Sequence, residues 1–457
     1  MIHSINPTTG DVLAEYHEHT AAQVNDALDA AVRAQADWRR CSADMRAGML
    51  PAMARELRAG KDKFARLITQ EMGKPVAEAA AEIEKSAATC DFYAEAAPGF
   101  LADETIVSNA SHSGVVFDPL GVVLAIMPWN YPFWQFFRFA APALAAGNGV
   151  ILKHASNVPA CAQEIEALMV RAGCPDGLMR NLRVSVPAVA DMIADDRIAA
   201  VTLTGSTQVG QIVAAQAGAA LKKQVLELGG SDPFIVLSDA DLEAAAETAV
   251  KARFINVGQS CVNAKRFIIE DSVAAAFTEL FAAGIERLKI GDPMKADTQI
   301  GPMARANLRD ELHDQVNRSI AAGAQVMLGG HPVDGPGFFY APTLLDGVVQ
   351  GQAAFDEELF GPVASIIRAR DADHAVALAN TSDFGLGAAI WTRDIDRAKQ
   401  MSRAIDAGAV FINGMVASDA RLPFGGIKKS GYGRELGSYG IREFTNMKTL
   451  WIGPSVS

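Results

Sequence analysis

Between Gly147 and Pro233 the chain alternates short β-type runs with segments of helix length. The order is GVILKHA, a helical stretch to Ala172, NLRVSV, a helix, IAAVTLTG, a helix to Ala220, and KQVLELGG. A strand followed by a helix returns the chain to a parallel neighbour, so this rhythm predicts a doubly wound parallel sheet and an α/β fold. The same rhythm restarts after Asp232, in PFIVLSDAD, RFIIE, AQVMLGG, ASIIRARD, LGAAIWTRD and AVFING. A second α/β unit is expected there, with a boundary near residue 230, since 457 residues exceed one ordinary core.

A helical layer precedes the alternation. TAAQVNDALDAAVRAQADW opens with a Thr20-x-x-Gln23 capping box and sets Val24, Leu28, Ala31 and Val32 on one face. Helix-like stretches continue to about Ala97, with Pro51 interrupting the first and Gly60 and Gly73 as stops. From Thr105 the pattern turns to β, in TIVSNAS and SGVVFDPLGVVLAIMPW, where Asp118-Pro119-Leu120-Gly121 supplies a turn.

Several function classes are disfavoured. Pro128 breaks the longest apolar run, GVVLAIMPW, well short of a bilayer's thickness, and MIHSINPTTG carries no secretory pattern, so a cytoplasmic protein is expected. A formal charge of −12 with dispersed basic residues argues against nucleic acid or anionic lipid as partners. Cys41, Cys90, Cys161, Cys174 and Cys261 are odd in number and widely spaced, which reads as reduced thiols and no metal site.

Five places carry the residue types that chemistry needs. Thr204-Gly205 ends a strand before a helix expected to begin near Val209, and free N–H groups at a helix start attract phosphate; a plain glycine turn is the alternative. Asn130, between two prolines after a strand, suits either an oxyanion donor or an Asx turn. Arg138 sits among Phe136, Phe137 and Phe139, where a guanidinium calls for a carboxylate, from the protein or from a substrate. Glu227, on an apolar strand before a double glycine, suits a general base with a raised pKa or one half of an ion pair. Cys261, in INVGQSCVNAKR, is a nucleophile or a buried thiol; its small polar neighbours are poor packing for the latter.

Taken in order, PWN, GNGVILKHAS, TGSTQVG, ELGGSDP, GQSC, IGDP, IGPM, EELFGPV and LPFGGIKKSGYGRE resemble the aldehyde dehydrogenase superfamily over nearly the whole chain, and within it the compact succinate-semialdehyde dehydrogenase type. The resemblance implies a Rossmann-like cofactor domain (1–98 and 120–229, with 431–442 returning to it), an α/β catalytic domain (230–430), and a small β oligomerisation extension (99–119 and 443–457). A homodimer or dimer of dimers is the implied assembly. Cys261 becomes the nucleophile, Asn130 the oxyanion donor and Glu227 the base that activates water.

For NAD or NADP the resemblance assigns Lys153 to the adenosine ribose, Gly205 and Ser206 to the pyrophosphate, Glu358 to the nicotinamide ribose, and Phe360 and Trp129 to the ring's surroundings. Ser156 stands where NAD-preferring relatives often carry Glu, and His154 replaces a common proline; a neutral serine removes repulsion from a 2′-phosphate, so NADP use is expected. Arg138 matches a carboxylate-binding arginine, which favours succinate semialdehyde. A second arginine of many relatives is Ile255 here, so Ser418 is expected to help complete the pocket, and Asn263 replaces a cysteine that could lock the nucleophile. The alternatives are glutarate semialdehyde or a neutral aldehyde as substrate, a CoA-acylating enzyme, a cysteine hydrolase using His313 or His374, and a non-catalytic binding protein on the same fold.

Overall fold

The computed structural model describes residues 1–453. Two large sheets dominate it. The first has six strands in the order Gly431–Tyr432, Lys223–Glu227, Ile198–Thr204, Val122–Met127, Gly149–His154 and Met179–Asn181. All its pairings are parallel except that of Gly431–Tyr432. Val122–Met127 is buried at every residue, the continuous apolar run that a strand covered on both faces requires. The second sheet has seven strands, from Gln325–Leu328 through Thr343–Asp346, Val363–Ala369, Ala264–Glu270, Asp232–Val236 and Gly387–Trp391 to Ala409–Ile412. Its pairings are parallel apart from the first.

Thr445–Ile452 pairs antiparallel along the whole of His112–Pro119, and Glu104–Thr105 closes a three-stranded sheet. Met447, Leu450, Trp451 and Ile452 on its outer strand are exposed. The last four residues of the expected extension, 454–457, lie outside the described residues.

The N-terminal layer follows its capping signals. Thr20 caps Ala21–Trp38 through the full capping box, and Leu28 and Ala31 are buried as expected, whereas Val32 points to solvent. Pro51 begins a helix, Leu50–Ala59, instead of interrupting one, because the first turn needs no N–H from it. Gly60 and Gly73 end their helices, the latter in the left-handed conformation. The run TIVSNAS yields only Glu104–Thr105, and the strand expected at NLRVSV is Met179–Asn181. Ile2–Ile5 and Val12–Tyr16 form a hairpin that the sequence reading had not marked.

Two helices position the site. Pro132–Ala145 is buried at every residue, and its start is held by Glu82, whose Oε1 accepts the N–H groups of Phe133 (2.9 Å) and Trp134 (3.1 Å). An anion there satisfies donors that the helix cannot use internally. Glu82 also pairs with Lys74, which is wholly buried and lies 3.6 Å from the centroid of the Tyr131 ring. Glu82 belongs to the second helix, Val76–Phe100, whose polar residues Glu78, Glu82, Lys85, Ser86 and Thr89 recur at helical spacing on one face.

Candidate active site

Helix Leu242–Phe254 ends at Ile255, and the chain then turns through Asn256 and Val257, both at positive φ (55° and 57°). A β-branched residue in that region is strained. The surroundings hold it there. Glu78 Oε2 accepts the Asn256 N–H at 2.6 Å, and the Asn256 side chain donates to the carbonyls of Asn130 and Gln259. Arg253, fully buried, donates to the carbonyls of Ala264 and Leu359 and contacts that of Gly361. Lys265, also fully buried, donates to the carbonyls of Ser260 (2.9 Å) and Cys261 (2.7 Å) and lies 3.5 Å from Glu358. Backbone strain and buried cations together fix the loop that presents Cys261.

Cys261 keeps partial access to solvent, and its neighbours line two cavities at once. Burial pushes its thiol up to about 12, against the opposing pull of Arg138 and Lys265. A proton acceptor must therefore generate the thiolate. Asn130 is buried; its Nδ2 donates to the Gln259 carbonyl at 3.0 Å, which leaves its second N–H for a ligand.

Glu227 ends its strand fully buried, and neither carboxylate oxygen has a hydrogen-bond partner among the described residues. Burial first, then the nearby Glu435, raises its pKa well above the carboxylate range, while Arg138 and Arg434 oppose the shift. The ion-pair alternative for Glu227 is thus not realised. A Cβ on Gly425 would lie 2.7 Å from Glu227 Oε1, so glycine there gives the carboxylate its place.

One cavity, of about 260 Å³, is lined by Trp129, Asn130, Gly205, Ser206, Glu358 and Phe360 together with Cys261. Ser206 caps helix Thr207–Ala219, which starts two residues before the expected Val209, and the Gly205 N–H donates to the Glu227 carbonyl. A Cβ added at Gly205 would meet open space, so the helix start faces an unfilled groove suited to a pyrophosphate. Glu358 accepts the Gly230 N–H at 3.0 Å; a Cβ on Gly229 would collide with Glu358, and one on Gly230 would lie 2.8 Å from the Cys261 carbonyl oxygen, which together explain the double glycine after Glu227. Phe360 meets Trp129 edge to face, with centroids 5.7 Å apart.

Ser156 is exposed and lines a separate cavity of about 580 Å³. Arg305 borders both that cavity and the 260 Å³ one, and its Nε has no hydrogen-bond partner among the described residues. Lys153 sits half-buried two residues before the loop, its pKa lowered by burial. His154 bridges Pro132 O at 3.0 Å and accepts the Ala155 N–H; burial holds it near 4, so it is a neutral tie between strand and helix.

The other cavity beside Cys261, about 110 Å³, is lined by Lys85, Trp134, Arg138, Ile255, Ser418 and Phe424 among others. Arg138 is where the sequence reading put it, but its charge is already matched: Nε contacts Glu435, Nη2 donates to Thr204 Oγ1 at 3.3 Å, and the guanidinium lies over Phe424. Lys85, which sequence reasoning missed, donates to Ser418 Oγ at 2.7 Å and lies 4.2 Å from the Trp134 ring centroid. The signal available for it was the polar stripe on an Ala-rich helix. Neither histidine of the hydrolase alternative reaches Cys261's cavities: His313 bonds the Tyr340 hydroxyl, and His374 lies by the Arg370 backbone.

The family model described as "Aldehyde dehydrogenase family" matches residues 1–450. The chain is 52% identical over 449 residues to an Escherichia coli protein named as an NAD(P)+ succinate semialdehyde dehydrogenase, covering 98% of this chain and 97% of that one. It is 48% identical over 451 residues to a Synechocystis protein named as a probable NADP+ succinate-semialdehyde dehydrogenase, covering 99% of each. The solved structure of succinic semialdehyde dehydrogenase from Streptococcus pyogenes in complex with NADP+ superposes with a TM-score of 0.97 at 36% identity, covering 99% of this chain and 100% of that one. This chain belongs to the aldehyde dehydrogenase family.

Proposed function

We propose that the protein oxidises succinate semialdehyde to succinate with NADP, and with NAD as a second acceptor. One observation carries the reading: Cys261 lines both a groove shared with Gly205, Ser206, Glu358 and Phe360 and a small cavity shared with the cations Lys85 and Arg138. Cofactor and substrate would thus reach one sulfur from two cavities.

In this reading the Cys261 thiolate adds to the aldehyde carbon and forms a thiohemiacetal, whose oxyanion takes a hydrogen bond from Asn130 Nδ2 and from the Cys261 N–H. The nicotinamide supplies a hydride acceptor when bound, which leaves a thioester on Cys261. Glu227 then takes a proton from the water that attacks the thioester, the C–S bond breaks, and the carboxylic acid leaves with Cys261 returned as the thiolate. Trp129 and Phe360 wall the nicotinamide end, and Glu358 holds its ribose hydroxyls. Lys153 and Ser156 serve the adenosine end, where an uncharged serine tolerates a 2′-phosphate, and Arg305 is a cation within reach of the phosphates. The substrate's carboxylate would occupy the 110 Å³ cavity, whose lining includes the cations Lys85 and Arg138 and the Ser418 hydroxyl.

The exposed apolar strand Thr445–Ile452 suits pairing between copies, giving a homodimer or dimer of dimers in which that edge is covered. The test of function is a panel of initial rates with succinate semialdehyde, glutarate semialdehyde and butanal, each with NAD and NADP, and with free acid measured as product. NADP rates more than about a hundredfold below those with NAD, a deficit of roughly 2.7 kcal/mol, would remove the cofactor assignment. Equal kcat/KM for butanal and succinate semialdehyde would remove the substrate assignment.

A further inference from the structure

We propose that Lys85, and not Arg138, is the principal cation that binds the substrate's carboxylate, with Ser418 as its hydrogen-bonding companion. The inference rests on the reading of the 110 Å³ cavity as the aldehyde pocket, and it names the group that sets the preference for a charged tail.

Two cations line that cavity, Lys85 and Arg138. Arg138 is compensated by Glu435 within the protein, and both are almost fully buried. A substrate carboxylate placed against it would compete with an existing counter-charge. Lys85 has no carboxylate within ion-pair distance among the described residues: Asp419, the nearest acid in sequence to its partner Ser418, is engaged by Arg421 at 2.5 Å. Its contacts are a neutral hydroxyl and the face of Trp134, which orient the ammonium without neutralising it.

A largely buried ammonium whose acidic neighbours Asp419 and Glu82 act on it only from beyond ion-pair distance is held at a cost that an incoming carboxylate relieves. Burial accordingly lowers the Lys85 pKa to about 8, and a bound carboxylate pulls it back up. Ser418 completes the geometry, since a hydroxyl that accepts from Lys85 keeps its own proton to donate to the same carboxylate.

The test compares Lys85→Met, Lys85→Arg and Arg138→Met with the native enzyme on succinate semialdehyde and on butanal, its uncharged four-carbon counterpart. Loss of a charge-assisted hydrogen bond predicts a rise of about thirtyfold in KM for succinate semialdehyde in Lys85→Met, with kcat changed far less. The loss with butanal should be at least about tenfold smaller, Lys85→Arg should recover most of the affinity, and Arg138→Met should impair both aldehydes alike. Butanal turnover and thermal melting report whether each variant folds; should Lys85→Met fail them, Lys85→Gln replaces it. If the native enzyme prefers succinate semialdehyde and Lys85→Met keeps that preference, the Lys85 assignment is overturned while the substrate reading stands. If the native enzyme shows no preference, both fall.

Discussion

Replacing Glu227 by Gln separates the two halves of the proposed reaction. The side chain is fully buried, and its oxygens have no hydrogen-bond partner among the described residues. Burial and Glu435 raise its pKa well above the ordinary range, which makes it a stronger base than an exposed carboxylate. Gln has the shape of a protonated carboxylic acid, so packing against Gly425 and the strand should survive. What is lost is the proton acceptor. A positioned general base contributes about 10² to 10⁴ in rate, which corresponds to roughly 2.7 to 5.5 kcal/mol on the deacylation barrier. Stopped-flow absorbance should record a burst of about one reduced nicotinamide per site, followed by a steady state slower by that factor.

Stability supplies an independent reading of the same substitution. A carboxyl whose folded pKa exceeds its unfolded value costs the folded state stability as pH rises above the unfolded pKa. Gln removes the cost, so the variant should gain on the native protein in Tm as pH rises above the ordinary carboxylate range, and not below it. Disappearance of the burst itself would refute the division of labour. Glu227 would then be the acceptor of the Cys261 proton, which burial makes hard to release.

Three further outcomes follow from the geometry. Asn130→Ala should lower kcat by about 10² to 10³, with a smaller change in KM, because the amide meets charge that exists only as the oxyanion forms; steady-state kinetics decides, and a purely KM-based loss contradicts the role. Ser156→Glu should depress kcat/KM with NADP at least about tenfold more than with NAD, through repulsion of the 2′-phosphate, and equal losses remove Ser156 from that contact. Alkylation of Cys261 in the free enzyme, scored by mass spectrometry against Cys261→Ser, should quicken about tenfold per pH unit between about pH 7 and 9, since burial keeps the thiol protonated there; a plateau below about pH 8 would show a preformed thiolate.

The parts of the site legible in the sequence are those whose chemistry is local. Ser206 caps a helix three residues on, Gly229 and Gly230 leave room for a carboxylate, and Cys261 follows a helix terminus, each a signal contained in a short motif. The parallel rhythm of strands was equally local, and the strands it marked occur in the two large sheets. Arg138 was legible as a guanidinium in need of a carboxylate, but which one was not. Its partner Glu435 lies in the returning segment near the C-terminus, so no periodicity or spacing connects the two.

The same limit hid the role of helix Val76–Phe100, whose existence to about Ala97 was expected but whose polar face was not. Its polar face contacts three segments distant in the chain: Glu78 the strained turn before the nucleophile, Glu82 the start of the Asn130 helix, and Lys85 the Ser418 loop. Buried polar groups are costly unless paired, so a stripe of them at helical spacing on an apolar helix must face partners elsewhere. Glu78, Glu82 and Lys85 each support a different wall of the site through elements that the helix meets only after folding, while Ser86 and Thr89 bond back to the carbonyls of Glu82 and Lys85 in the helix itself. The consequence is mechanical as well as chemical: nucleophile, oxyanion donor and carboxylate pocket share one rigid rod, so a shift of that helix moves all three together. A cation carried on it is therefore held at a set distance from Cys261, which is what discrimination by substrate length requires.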